Sequence, residues 1–402
     1  MRQPPMTTVP EALPIGSFEP GDFVAACSDP PDSLVYFLLN VGDGDTQFIL
    51  LPQGEDGVRR AVVVDVATTK KLPQLVEALA GSGLLTKPPE SSSSPEGESD
   101  GKSPQGKGLF PVVVGTHPHD DHIGGMPEFL GRFASLIGEY WEPGYYHPSS
   151  RYVETMRCIE DYGIQQLQPI SGTARFIGKV KLSVLSPGIG LRNRFDTYGT
   201  EINDASIALK VEFPVARVTQ RRKEREYLRL REPWSLILGA DAQTTSWAQA
   251  TVDFPQLHQM EGPLYKELRA ALGRDPLKAQ IFKVPHHASK HGLNIELVER
   301  IAPSLTVVSS SAGSGRYGFP HMLAMEAVRE ARQPIATGGT RKPDHELGIH
   351  YTGAVDRGRP PRPLGSIALI LSPAKRSDPQ LWRFGDGQEE FLRLDRARRY
   401  KG

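Results

Sequence analysis

Two hydrophobic periods alternate along this chain. Residues 34–39 (Leu-Val-Tyr-Phe-Leu-Leu) form an unbroken apolar run, and 47–51 (Gln-Phe-Ile-Leu-Leu) form a second one after a short polar turn. Runs of this length, rich in branched and aromatic residues, predict buried strands paired as a hairpin. A third strand is predicted over 61–66. Residues 71–81 switch to helical spacing, with Leu72, Leu75, Val76 and Leu79 on one stripe. Pro111-Val112-Val113-Val114-Gly115 returns to strand pattern. Helices are predicted at 126–133, 153–162 and 322–332. Further strands are predicted at 180–185, 206–213, 234–238, 280–284, 305–309 and 366–371. Strands followed by helices in two successive halves predict an α/β fold: a four-layer αββα sandwich, two mixed sheets face to face with outer helices.

Composition divides the chain further. Residues 1–30 read as an N-terminal extension. Five prolines fall in the first 20 positions with no apolar stretch, so neither a signal peptide nor an anchor is expected there. The main domain is expected over 31–375, with 88–108 as a low-complexity, disordered insertion of Ser, Pro, Gly, Glu and Lys. Residues 376–402 read as a C-terminal tail. Lys plus Arg equals Asp plus Glu at 47 each, so no global field draws the protein to nucleic acid or membrane. The charge run 217–232 mixes Arg217, Arg221, Arg222, Lys223, Arg225, Arg229 and Arg231 with Glu224, Glu226 and Glu232, which favours a solvated hairpin or helix over a strand-binding patch. Cys27 and Cys158 are far apart and need not pair, no apolar stretch spans a bilayer, and a cytoplasmic, membrane-free protein is expected.

The chemistry concentrates after the strand at 111–115. Thr116-His117-Pro118-His119-Asp120-Asp121-His122-Ile123-Gly124-Gly125 places three imidazoles and two carboxylates within six positions, although the whole chain has 11 His. His117 and His119 point one way, and Asp121 with His122 can curl around a second point. Neutral imidazole and carboxylate suit Zn²⁺ or a similar divalent ion, and two such ions can share one site. Asp241 follows the strand 234–238 and is either a metal carboxylate or the N-cap of a helix over 242–252. His286 and His287 follow the strand 280–284. Adjacent side chains do not easily face one metal, so one is expected to bind and the other to contact substrate. Asp65 ends a strand and either supports a ligand His or serves as a turn residue.

The His-x-His-x-Asp-His segment after a strand resembles the signature of the metallo-β-lactamase fold superfamily. Five further segments resemble its ComEC-type branch, the soluble hydrolase domain of DNA-uptake proteins. Asn40-Val41-Gly42-Asp43-Gly44-Asp45 is similar to Val-Gly-Gln-Gly-Asp. Val62-Val63-Val64-Asp65 is similar to Ile-Asp-Thr-Gly, with Val66-Ala67 in place of Thr-Gly. Asn203-Asp204-Ala205-Ser206 matches Asn-(Asp/Asn)-x-Ser. Leu238-Gly239-Ala240-Asp241-Ala242 resembles Leu-Thr-Gly-Asp-Ala, and Val284-Pro285-His286-His287-Ala288-Ser289-Lys290 resembles Val-Pro-His-His-Gly-Ser-Lys. Tyr317-Gly318-Phe319-Pro320-His321 is similar to the branch's Tyr-Gly-His-Pro, with His displaced to 321.

The resemblance implies the metallo-β-lactamase type of sandwich and a hydrolase that activates water with two divalent ions, Zn²⁺ first and Mn²⁺ as the alternative. It implies His117 and His119 on one ion, Asp121 and His122 on the other, a bridging Asp241, and His287 as ligand to the second ion. His286 would donate to a substrate oxygen, and Asp121, or the neighbouring Asp120, would orient the attacking water. Asp65, Asn203, Ser206, Ser289 and Lys290 would support ligands or touch substrate. The branch lacks a clear further His before the bridging Asp, and His147 is the one candidate in that interval. A phosphodiester, as in a nuclease or phosphodiesterase, is the expected substrate class. A carboxylic ester, lactone or thioester, or a binding module without turnover, is the alternative.

Overall fold

A computed structural model describes residues 8–86, 108–195, 201–215, 219–221, 224–226, 233–256, 262–263, 275–315, 317–334, 339–373 and 378–402. The insertion expected at 88–108 lies almost wholly outside the described residues. So does most of the charge run at 217–232, of which only Thr219–Arg221 and Glu224–Glu226 are described, as a two-stranded antiparallel pair.

Two mixed sheets form the centre. The first has ten strands in the spatial order Phe18–Pro20, Arg398–Tyr400, Gln380–Arg383, Ile367–Leu371, Leu34–Leu38, Thr46–Leu50, Ala61–Val66, Phe110–Val114, Ile137–Trp141, Gln165–Leu167. The second has seven, in the order Ile349–Tyr351, Leu305–Val308, Ile281–Lys283, Trp234–Leu238, Ala208–Phe213, Val180–Ser186, Ala174–Ile177. Each sheet is antiparallel on one side and parallel on the other, where helices make the crossovers.

Strand alternation explains the layers. Leu34, Tyr36 and Leu38 join Val62, Val64, Val112 and Val114 in a core shared with Leu209, Val211, Leu236 and Ile281 of the other sheet. Their odd-numbered neighbours Val35, Phe37, Val63 and Val113 face outward and pack under Leu72, Leu75, Leu79, Met126 and Phe129 of the helices Lys71–Gly81 and Met126–Phe133. The second sheet is covered by Thr244–Asp253, Ile295–Ile301 and Met322–Arg332, which contribute Trp247, Val298 and Met325 to the core. The result is the expected αββα sandwich.

Three expectations change. The extension and the tail are not separate from the domain: Phe18–Pro20 pairs with Arg398–Tyr400, which pairs with Gln380–Arg383 on Ile367–Leu371. Strands of three or four residues are too short to show a period, and this is why they read as tails. The segment 340–365, where no strand is predicted, supplies Ile349–Tyr351 to the second sheet. The helix expected at 153–162 begins at Ser150, because the Ser149 side chain caps the Tyr152 N–H.

Candidate metal centre

The parallel strands of both sheets deliver the site from their carboxyl ends, where open α/β sheets place ligands. Asp65 comes from Ala61–Val66, the 117–122 loop follows Phe110–Val114, Asp241 follows Trp234–Leu238, and His286 and His287 follow Ile281–Lys283.

The loop after Phe110–Val114 does not continue as irregular chain. Asp120–Ile123 forms one helical turn, with His122 and Ile123 N–H donating to the His119 carbonyl. The two glycines that follow have a packing reason. A Cβ on Gly124 would stand 2.4 Å from the Asp120 carbonyl oxygen, and one on Gly125 would stand 2.3 Å from that of Thr68. Only bare backbone lets this turn lie on the end of the neighbouring strand.

Asp65 is the extra residue of a bulge. Thr46 pairs with Val66 and Gln47 with Val64, so Asp65 has no strand partner, and its φ is +61°. That conformation turns its carboxylate into the loop. Oδ1 accepts from Thr116 N–H at 2.8 Å, and Oδ2 accepts from Thr116 Oγ1 at 2.8 Å and from His122 Nδ1 at 2.7 Å. His287 Nδ1 donates in the same way to the Ser309 carbonyl, at 3.2 Å. Both partners leave Nε2 as the bare nitrogen, the tautomer a metal requires.

These bare nitrogens meet at Asp241. His122 Nε2 is 3.1 Å and His287 Nε2 3.5 Å from Asp241 Oδ1. His117 Nε2 is 3.8 Å and His286 Nε2 3.6 Å from Oδ2. His119 Nδ1 lies 3.1 Å from His117 Nε2, and Asp121 Oδ2 lies 3.8 Å from His287 Nε2. All six residues expected as ligands are therefore brought together. Asp241 is not a helix cap: the helix begins at Thr244, and Gln243 holds the cap position.

His286 departs from expectation. The sequence assigns the two adjacent rings to different targets, yet both reach Asp241, one on each oxygen. The cause is backbone: His286, His287 and Ala288 have φ of +50°, +51° and +64°. Three successive left-handed residues wind the chain so that adjacent side chains converge. Each costs about 1–2 kcal/mol, and such strain collects at functional sites.

Burial dominates the electrostatics. It pushes His117 well below its ordinary pKa, with the neighbouring His122 adding to the effect, and it lowers His119 and His286. At His122 burial acts downward too, but Asp241 and Asp65 override it and hold the ring well above the usual range. Burial acts upward on Asp241, where His122, His287 and His286 override it and keep the carboxylate ionised.

The donor set fits divalent ions. His122 Nε2, His287 Nε2 and Asp241 Oδ1 are buried and have no hydrogen-bond partner, although they lie within hydrogen-bond range of one another. Close approach without hydrogen-bond direction is what ligands around a shared cation show, and such atoms are costly to bury otherwise. His117, His122 and Asp241 form one group able to hold an ion, and Asp121, His122 and His287 form another.

The remaining expected residues divide. Asn203 Nδ2 lies 3.4 Å from His286 Nε2, and Ser206 Oγ is buried without a partner. Ser289 Oγ accepts from His291 N–H at 3.5 Å, and Lys290 is exposed beside His321. His321 caps Leu323 N–H. His147 Nδ1 accepts from Ser149 N–H, and its ring sits 6.1 Å from His119. Sequence reasoning missed Thr116, the hinge of the Asp65–His122 contact, and gave no role to Asp45. Asp45 is fully buried, pairs with the buried Lys283 and stands 3.8 Å from His287 Nδ1. Its position inside Gly42-Asp43-Gly44-Asp45 was the available signal.

No protein-family model matches the chain, and no curated protein does. Among solved structures it is similar to CmlA, a diiron beta-hydroxylase from Streptomyces venezuelae, with 11% identity over 80% of this chain and 53% of that one, at a TM-score of 0.36. A point mutant of the CmlA beta-hydroxylase matches with the same identity and TM-score over 52% of its length. The chain thus spans about half the length of these proteins, and the reading of its site rests on its own residues.

Proposed function

We propose that this protein is a hydrolase that works through two divalent metal ions, Zn²⁺ first, and cleaves a phosphodiester. What carries the reading is the three unpartnered buried atoms, His122 Nε2, His287 Nε2 and Asp241 Oδ1, with a second nitrogen pair at His117 and His119 beside them. His117, His119 and Asp241 Oδ2 would hold one ion; Asp121, His122, His287 and Asp241 Oδ1 would hold the other. Such a pair acidifies water to near neutral pH and polarises a phosphoryl oxygen.

The chain's own groups then have distinct tasks. Asp241, whose two oxygens face different imidazoles, would offset the repulsion between two cations held there. Asp121, with its side chain 36% exposed, is the ligand open to solvent and orients the attacking water. His286 is 17% exposed, and Asn203 Nδ2 lies 3.4 Å from its Nε2, which fixes the ring at the open side of the site where substrate would lie. Asp65 and the Ser309 carbonyl hold the two ligand rings in the correct tautomer.

The test is metal content and turnover together. The purified chain is expected to bind about two Zn²⁺ or Mn²⁺ ions and to hydrolyse bis-p-nitrophenyl phosphate. His119→Ala and Asp241→Ala are expected to lose metal and to lower turnover by more than about a hundredfold, beyond what outer-sphere changes cause. A metal-loaded chain inert to phosphodiesters but active on an aryl ester or thioester overturns the substrate class. A His119→Ala variant as fast as its parent overturns the site.

A further inference from the structure

Lys283 ends the strand Ile281–Lys283, shortly before His286, and its side chain is fully buried. The chemistry above gives it no task. Its ammonium donates to Asp45 Oδ2, in an ion pair with both side chains buried, and lies 3.4 Å from the carbonyl oxygen of Ala240, next to Asp241. Asp45 directly precedes the strand Thr46–Leu50 of the first sheet. The pair therefore joins the two sheets beside the metal ligands.

The contacts around the pair reach particular ligands. Asp45 N–H donates to the Asp121 carbonyl at 3.0 Å. Ser309 Oγ donates to the Gly44 carbonyl at 2.5 Å, and the Ser309 carbonyl accepts from His287 Nδ1 at 3.2 Å. Gly44 is required there, since a Cβ would stand 2.7 Å from the Asp121 carbonyl oxygen. Gly44-Asp45 is thus fastened to Asp121 on the first sheet and to Lys283 and Ser309 on the second. None of these contacts involves His117 or His119.

Charge gives the ammonium a second reason to be there. Asp45, Asp65 and Asp241 are all buried, and donor atoms of Asp45, Asp65 and His122 lie within 4.8 Å of one another. Asp45 Oδ1 has no hydrogen-bond partner and stands 3.8 Å from His287 Nδ1. Without the ammonium on its other oxygen, this carboxylate would draw the His287 N–H away from Ser309 and turn the ring. We propose that Lys283 is a positioning residue of the metal centre. Through Asp45 it fixes the 117–122 loop against His287, and it sets the affinity for the ion of Asp121, His122 and His287 more than for the ion of His117 and His119. The inference rests on the two-metal reading above.

The test titrates Zn²⁺ into the metal-free full chain in competition with a chromophoric chelator, and follows the melting temperature of the metal-free chain. The parent is expected to show two steps, and Asp121→Ala and His119→Ala mark which step belongs to which ion. In Lys283→Met the step lost in Asp121→Ala is expected to weaken about tenfold or more, as when groups that orient ligands are removed, while the other stays within about twofold. Lys283→Met also leaves Asp45 buried without a counter-ion and is expected to melt lower. Asp45→Asn/Lys283→Met removes both charges, and is expected to regain the melting temperature but not the affinity. That split separates positioning from plain charge compensation. A double variant that binds both ions as the parent does, or that weakens both steps equally, overturns the proposal and leaves the metal centre standing. Should the double variant be insoluble, Asp45→Asn, which still offers Lys283 an acceptor, decides the case by a smaller loss on the same step or none. A parent that takes up fewer than two ions overturns the two-metal reading and the proposal with it.

Discussion

At the scale of single residues, the site is built from backbone that alanine and histidine dislike. Of the seven non-glycine residues with positive φ among those described, five surround the metal centre: Asp65, Ala240, His286, His287 and Ala288. Two of these, Ala240 and Ala288, stand where the resembled branch carries Gly. Left-handed backbone costs an alanine about 1–2 kcal/mol, and the extra freedom of unfolded glycine returns about 0.4–1 kcal/mol of that. Ala240 is 1% exposed, so loss of its buried methyl, about 0.8 kcal/mol, offsets that gain, and Ala240→Gly is expected to be near neutral in denaturant unfolding. Ala288→Gly is expected to be near neutral. Its methyl is fully buried in the core between the sheets, and removing it forfeits about 0.8 kcal/mol. A destabilised Ala240→Gly would mean that the methyl itself holds Asp241 in place. The residue types of the site were legible because metal chemistry restricts them to His and Asp. The convergence of His286 and His287 was not, because three consecutive left-handed residues leave no mark in residue identity once alanine occupies a position that glycine would have signalled.

At the scale of elements, long strands and helices declared themselves and short ones did not. Leu34–Leu38 and Ala61–Val66 each carry five apolar residues that must be buried. Arg398–Tyr400, with two arginines in three residues, carries no such demand and is held by its pairing with Phe18–Pro20 and Gln380–Arg383. The closing segment nevertheless buries Trp382, Phe384 and Leu392 against the outer face of the first sheet and Leu381 in the core between the sheets. Lys71 ties it to the rest: its ammonium pairs with Asp386 at 2.7 Å and donates to the carbonyls of Asn40 and Gly387. Ending the chain after residue 373 would strip these contacts, worth several kcal/mol at about 1.5–3 kcal/mol per large side chain, and would leave Ile367–Leu371 as a bare apolar edge. The shortened chain is expected in the insoluble fraction. A soluble monomer by size exclusion with an unchanged melting temperature would show that the closing strands are dispensable.

At the scale of the whole molecule, the site and the edge of the second sheet handle buried charge differently. At the carboxyl ends of the parallel strands, imidazoles and carboxylates compensate one another around Asp241. The edge strand Ile349–Tyr351 instead buries His350 with its ring 5.2 Å from Tyr400, and burial, reinforced by the Arg383 guanidinium, depresses its pKa from 6.5 to about 3. No carboxylate among the described residues closes on it to override burial, so the folded protein keeps this ring neutral where the unfolded chain would protonate it. Above about pH 6.5 neither state binds the proton and His350 leaves stability independent of pH. Below that value the unfolded state takes it up first, and stability falls by about 1.4 kcal/mol per pH unit until the folded ring titrates near pH 3. The buried carboxylates Glu139 and Glu142, raised by desolvation, act with the opposite sign in the acid range, so the parent curve alone mixes the two effects. The difference between parent and His350→Gln separates them: glutamine cannot take up that proton in either state. Urea unfolding from pH 8 to pH 4 should give parallel stabilities above pH 6.5 and a gap that widens in the variant's favour below it. Curves that stay parallel throughout would mean that His350 gains a proton in the fold as readily as in the unfolded chain, and that the edge of the second sheet opens to water in acid.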